Sequence, residues 1–302
     1  GITIEDNRIK ISQPSEKGFK PGLYKLKVKI VEGGEVFLQE QDFTWGVLAI
    51  NTSKSIYLPQ ETAYLQMAAL TSAGHTICNA DLKLDITPPE GNTTSVSVEK
   101  SGECGMDNVT DVPDYFAYYQ VQGAGVYQMT LTNFSNSYEI TDSFEVRESV
   151  PFEIERIGPT RIYPPAAYPI TFSIMSNQGF EGVIEEKVPA NFEIFQPVHS
   201  KQYQSISVVG DIKIIKWEVS LESGKPIQLG YYFDAPDISP YLYLLGPLQL
   251  AENSSPLMFQ EIRQWQIASD AMSTVILNTT GASTYTIPSD FSASNTIHVI
   301  GA

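Results

Sequence analysis

The sequence predicts an all-β fold of sandwich domains in series, on three observations. Short strand-like runs recur along the whole chain, bounded by Gly, Pro, Asn and Ser. Apolar residues almost never repeat at the 3.6-residue helical period. Aromatic side chains make up 11% of the sequence, far too many for a chain without a packed core. The length is 302 residues, which at roughly 100–200 residues per domain gives two or three domains.

Residues 1–45 read as the C-terminal strands of a partial β-sandwich. Tyr24-Lys25-Leu26-Lys27-Val28-Lys29-Ile30 alternates apolar and charged side chains, so one face is buried and the other carries Lys. The turn Glu32-Gly33-Gly34-Glu35 leads into Val36-Phe37-Leu38, and Phe43 and Trp45 complete a hairpin. One hairpin is too little for a whole sandwich.

The pattern restarts over 46–148. Val47-Leu48-Ala49-Ile50 is an apolar strand, and 56–61 turn into Ala63-Tyr64-Leu65-Gln66-Met67. Strands at 82–86, 95–98, 115–121, 125–131 and 143–146 follow. Seven to eight strands in about 100 residues is the size and count of an immunoglobulin-like domain. After the short connection Glu148-Ser149-Val150-Pro151, residues 149–250 form a second such unit. Its strands fall at 168–174, 182–188, 206–209, 212–219 and 227–233, with a closing run at 241–248. Residues 251–302 are a C-terminal β segment ending in a strand that holds Thr296, Ile297, Val299 and Ile300. A strand at a chain end needs a partner, so this one is expected to pair with a further domain or subunit. The predicted class is all-β, tandem immunoglobulin-like β-sandwich domains.

Charge narrows the function classes. Thirty-five acidic against 19 basic residues give a formal charge of −16. A nucleic-acid binder needs a basic face, and so does adhesion to an anionic membrane. No apolar run of some 18 residues is present to insert in a bilayer. The chain opens at Gly1 without Met, as a processed product or a piece of a longer protein would. Cys78 and Cys104 are the two cysteines. They read as a disulfide in a secreted chain and as two buried thiols otherwise. Six of the 12 Asn residues start an Asn-X-Ser/Thr sequon: Asn51, Asn92, Asn108, Asn133, Asn253 and Asn278. These are glycan acceptors on surface turns, or the co-occurrence of Asn, Ser and Thr in β-turns. Together these signs predict an extracellular chain.

Few residues point to chemistry. His75, His199 and His298 lie far apart, and His75-x-x-Cys78 alone is half a metal site at best. No Gly-x-Ser-x-Gly, phosphate loop or His-Glu-x-x-His occurs, so no enzyme is expected. The loop 103–114 holds Asp107, Asn108, Asp111 and Asp114, hard oxygens of the kind calcium takes; the alternative is a solvated acidic loop. No other cofactor is expected. Glu185 and Glu186 are strand neighbours, which alternation sends to opposite faces. Aromatic pairs such as Tyr118/Tyr119 and Tyr231/Tyr232 put one ring on each face of a strand. That suits a core with an interdomain contact, or a face for sugar.

Two stretches resemble known families. Ile56-Tyr57-Leu58-Pro59-Gln60-Glu61, followed by Ala80 to Ile86 in an Ala-x-Val-x-Leu-x-Ile-like strand and by Gly125-Val126-Tyr127-Gln128-Met129-Thr130-Leu131, resembles a macroglobulin-type immunoglobulin-like domain. Gln60 stands where that family has Gly. Gly102-Glu103-Cys104-Gly105 departs from the thioester motif of complement-type members and lacks its Gln, so no thioester is implied. Residues 167–250 resemble the conserved-repeat domains of bacterial surface proteins, through Val188-Pro189-Ala190-Asn191-Phe192, Ile215-Lys216-Trp217-Glu218-Val219 and Leu229-Gly230-Tyr231-Tyr232-Phe233-Asp234-Ala235-Pro236. The block 259–271 is similar to a segment that follows such domains in very large surface proteins of candidate-phylum bacteria. The resemblance implies an extracellular, multi-domain surface or filament protein that self-associates or packs on neighbouring domains. An adhesin for glycan or a host protein is the other expectation.

Overall fold

The computed structural model describes residues 2–5, 8–11, 22–32, 35–45, 47–71, 73–105, 108–197, 200–239, 241–252, 257–271 and 284. Among them every regular element is a strand. β1 (Ile2–Glu5) and β2 (Arg8–Ile11) form one antiparallel ladder, and β3 (Gly22–Glu32) and β4 (Glu35–Trp45) another. The second is the hairpin that the alternation at 24–30 predicts, with Ile30 opposite Phe37.

The first sandwich contains β5 (Leu48–Thr52), β6 (Ile56–Tyr57), β7 (Thr62–Ala69), β8 (Leu82–Thr87), β9 (Thr94–Val96), β10 (Glu99–Lys100), β11 (Tyr115–Gln120), β12 (Gly125–Asn133) and β13 (Tyr138–Val146). One sheet runs β10-β11-β7-β5 and the other β6-β13-β12-β8-β9. Their alternate residues meet in one core, with Leu65, Met67 and Ala117 of the first sheet sharing a cluster with Leu84, Met129 and Phe144 of the second. Each such burial contributes roughly 1.5–3 kcal/mol for the larger side chains. The Tyr115 ring is buried, and its hydroxyl donates to the Ile77 carbonyl and accepts from the Ala80 N–H. Cys78 and Cys104 form a disulfide with their Cα atoms 5.6 Å apart, so the thiol alternative falls away. Gln60 adopts φ 71°, the left-handed region that Gly enters without a steric penalty. This accounts for the Gly that the resembling family carries there.

The second sandwich contains β14 (Phe152–Ile157), β15 (Arg161–Ile162), β16 (Tyr168–Ser176), β17 (Phe180–Pro189), β18 (Glu193–Phe195), β19 (Ser205–Val209), β20 (Ile212–Leu221), β21 (Pro226–Asp234), β22 (Tyr241–Leu245), β23 (Gln249–Glu252), β24 (Leu257–Gln260) and β25 (Trp265–Ser269). Its sheets run β14-β16-β21-β18, β19-β20-β17-β23-β24 and β15-β25-β22. β16 alternates strictly, turning Tyr168, Ile170, Phe172 and Ile174 into a core with Ile184, Trp217, Tyr231 and Phe233. The sequence pattern closes this unit at 250, but the ladders do not stop there. β24 pairs with β23, and β25 pairs with both β15 and β22. Trp265 and Ile267 alternate inward on β25, so the described part of 251–302 pairs within this sandwich, through its own core.

Candidate functional site: a buried polar joint between the sandwiches

The two sandwiches meet across the outer face and edge of the β5–β7 pair. Ala49, Ala68 and Leu70 of the first pack with Leu242 and Ala268 of the second in a small apolar cluster. Small side chains at Ala49 and Ala68 let β25 approach closely. Around this cluster the contact is polar.

β5 is a sheet edge, and its free backbone groups are met by side chains from the other sandwich. The Ile50 N–H donates to Gln266 Oε1 at 3.1 Å, and Arg263 donates to the Ile50 carbonyl at 2.6 Å. Asn51 next to it is fully buried. Its Nδ2 donates to the Gln266 carbonyl at 2.7 Å and to Thr160 Oγ1 at 3.2 Å, while its Oδ1 accepts from the Gln266 N–H at 2.8 Å. A side-chain amide thus does what a neighbouring strand would do, and the buried groups are satisfied. Asp142 closes this half of the joint by accepting from Arg263 at 2.6 Å and from Gln266 Nε2 at 3.0 Å.

A second ionic cluster lies at the opposite side of the contact. Arg161 forks onto Asp114 through Nε (2.8 Å) and Nη2 (3.0 Å), and its Nη1 reaches Asp270 Oδ2 at 3.4 Å and the Asn108 carbonyl at 3.3 Å. The two carboxylates and the guanidinium are each at most 4% exposed. Burial works against the Arg161 cation, yet the charge and hydrogen bond of Asp114, with Asp270, hold its pKa above the ordinary arginine value. Asp270 Oδ1 also accepts the Thr76 N–H at 3.0 Å, and the Ala271 N–H reaches the Gly74 carbonyl at 2.9 Å. Lys54 adds a half-buried bridge from Glu61 (2.6 Å) to Glu153 (3.3 Å).

Inside the second sandwich a third cluster is fully enclosed. Arg156 on β14 and Glu186 on β17 both occupy inward positions of their strands. They pair bidentately at 2.6 and 3.0 Å, and Arg156 also donates to Glu261 at 2.6 Å. Glu261 accepts the Leu248 N–H at 2.8 Å, Tyr231 donates to Glu186 at 3.3 Å, and the guanidinium stacks 4.6 Å over the Phe172 ring. Burial first, and then the Glu261 charge, push the Glu186 carboxyl above the usual range, although Arg156 pulls the other way.

The residues singled out from sequence fall differently. Asp114 does not face a calcium ion, because its carboxylate is turned inward and spent on Arg161. Asn108 donates its amide to the Glu103 carbonyl, and Asp111 is exposed. These do not converge, and among the described residues no group of three or more His, Cys, Asp or Glu is placed to hold a metal. Of the sequons, Asn92 is exposed, Asn108 is half-buried, and Asn51 and Asn133 are fully buried. A glycan on Asn51 would require the joint to be open, and one on Asn133 the sandwich itself. Asp107, Asn253, Asn278, His199, His298, Thr296, Ile297, Val299 and Ile300 lie outside the described residues. Tyr231 and Tyr243 belong to the core, whereas Tyr118 is exposed beside Tyr64 and Phe116.

Asn51, Arg263, Gln266, Asp142, Arg161 and Asp270 were not legible as a set. One signal was present in the composition. Of the chain's five arginines, Arg156, Arg161 and Arg263 are all buried. The guanidinium fork is the cation suited to enclosed carboxylates, so rare Arg among abundant Lys marks such places.

No protein-family model matches the sequence, and no curated protein matches it. Solved structures similar to it share little sequence. A protein from Corynebacterium diphtheriae described as membrane anchored is 11% identical, with a TM-score of 0.30 over 77% of this chain and 60% of that one. Trypsin-activated alpha-2-macroglobulin from Escherichia coli is 11% identical, with a TM-score of 0.30 over 80% of this chain and 18% of that one. The Escherichia coli adhesin FdeC is 11% identical, with a TM-score of 0.26 over 82% and 74%. This chain therefore spans less than two thirds of the first two.

Proposed function

We propose that this chain is a non-enzymatic, extracellular structural part of a microbial surface protein, a stalk, fibre or lattice component whose sandwiches keep a fixed mutual orientation. The observation that carries this reading is the joint. A buried ionic cluster, a partly buried Arg263–Asp142 pair and an amide-capped strand edge lie between units joined by a short connection, which is more than a flexible tether needs. The disulfide suits an oxidising compartment, and the acidic charge keeps such chains apart in solution. The resemblance of residues 167–250 to bacterial surface repeats agrees with it.

The test is a distance distribution between spin labels at Asn92→Cys and Glu222→Cys, exposed sites on the two sandwiches. One narrow distance is expected; a broad or multiple distribution would overturn the fixed joint.

One observation favours the adhesin reading. Tyr64, Phe116 and Tyr118 form an aromatic cluster with centroids 5.2 to 6.1 Å apart on the part of the outer face of the β7–β11 pair that bears no joint residues. Exposed rings of this kind stack on sugar or anchor a protein partner. If this is the working surface, a glycan array shows binding that Tyr118→Ala removes. No binding by either protein leaves the structural reading standing alone.

A further inference from the structure

The five-stranded sheet of the second sandwich ends in β19, which among the described residues forms a ladder on one side only, with β20. An open strand edge invites another strand, and proteins usually guard it with charge, Pro, a bulge or a cap. Several edges here are guarded in this way. β14 carries Glu153 and Glu155, β18 carries Glu193, and β10 is Glu99-Lys100. β5 is capped by Gln266 and Arg263, and β24 breaks register with β23 at Leu250/Ala251.

Among the described residues, β19 has none of these devices. It reads Ser-Ile-Ser-Val-Val, without charge or Pro, in a chain with a formal charge of −16. Val208 is 60% exposed and Val209 is 59% exposed. The strand also matches itself. Set antiparallel about Ser207, Ile206 falls opposite Val208 of a second strand, and Ser205 opposite Val209. Residues directly opposite in an antiparallel ladder share a face, so Ile206 and Val208 line one face in both copies. Ile206 already packs against the core. The pairing would therefore extend that apolar row and set each exposed Val208 against Ile206 of the other copy.

We propose that β19 is a homotypic interface, at which a second copy of this chain adds its own β19 antiparallel about a two-fold axis through Ser207. A closed two-fold contact is the commonest oligomer symmetry, and it requires a self-complementary patch. A five-residue ladder is a small contact, in the transient class, and the like charge of two acidic chains opposes it. Pairing thus strengthens with protein concentration and with salt. It stands on sheet geometry alone, and its failure would leave the fixed joint untouched.

Cross-linking gives the test. Both native cysteines are in the disulfide, so an added thiol is unique. Opposed residues in such a ladder have Cα atoms about 4.5–5.5 Å apart, within disulfide range. Ser207→Cys should oxidise to a covalent dimer much faster than an Asn92→Cys control. Wild type should show a mass rising toward the dimer in concentrated, salt-containing solution, and Val208→Lys should abolish the rise without changing the melting temperature. Equal oxidation of Ser207→Cys and Asn92→Cys overturns the proposal. So does a dimer that survives Val208→Lys and is lost in Leu257→Lys, which would place the contact on β24.

Discussion

An Arg156→Met variant is expected to lose about 3–5 kcal/mol of stability, the loss that follows when one partner is removed from a buried ion pair. The substitution keeps most of the side-chain volume and the packing on Phe172, so the loss isolates the charge. Glu186 is fully buried and Glu261 is 4% exposed, and both would be left without their counter-charge. The pH dependence has a definite sign. Glu186 already has its folded-state pKa above that of the unfolded chain, chiefly through burial. A raised carboxyl contributes stability that is present below the unfolded value and is lost as pH rises through the folded one. Without Arg156 that pKa climbs further. Urea midpoints should therefore show the gap between variant and wild type narrowing in acid and widening toward neutral pH. A gap that is constant with pH, or largest in acid, would mean that the triad is not the source of the loss. Adding Glu186→Gln to the variant should recover part of it.

Arg161→Ala is expected to uncouple the sandwiches rather than to unfold them. Asp114 and Asp270 would lie buried without a cation, a cost of about 3–5 kcal/mol if the joint stayed closed. The joint has a way out that the Arg156 cluster lacks, because separating the sandwiches returns both carboxylates to water. The observed cost is then the smaller of the two, the burial penalty or the free energy of opening. Calorimetry should show one cooperative transition in wild type and two in the variant. The spin-label distance should broaden at the same time. A single sharp transition with an unchanged distance would show that the Asn51–Gln266–Arg263 half of the contact suffices alone.

Alternation carried most of the fold into view. β16, β17 and β20 are legible because a strand buried on one face writes its pattern every second residue, and Trp217 or Phe172 leaves no doubt which face it is. The same rule placed Glu185 and Glu186 on opposite faces, and Glu185 does lie outward, paired with Lys216 at 2.6 Å. It could not say that Glu186 is the inward one with a cation waiting, since Arg156 is 30 residues away on another sheet. Asn51 failed for a related reason. Asn-Thr-Ser is a sequon by composition, and only the β25 partner reveals that this Asn replaces a strand. Asp114 sits at the end of a run of loop oxygens that looks like a cation site until Arg161 arrives from the other sandwich. The closing run at 241–248 puts the boundary at 250, whereas β23 and β24 continue the sheet past it. Local chemistry is written locally, but pairing between distant strands is not.

The Cys78–Cys104 bridge has a mechanical consequence. If the chain is pulled from its ends, tension crosses the sulfur bond and bypasses the 26 residue steps between the two cysteines. Those steps hold about 90 Å of contour at ~3.5 Å each, which stays out of reach when the first sandwich is torn open. A tether made of such units would yield in shorter increments and regain its length sooner when the load drops.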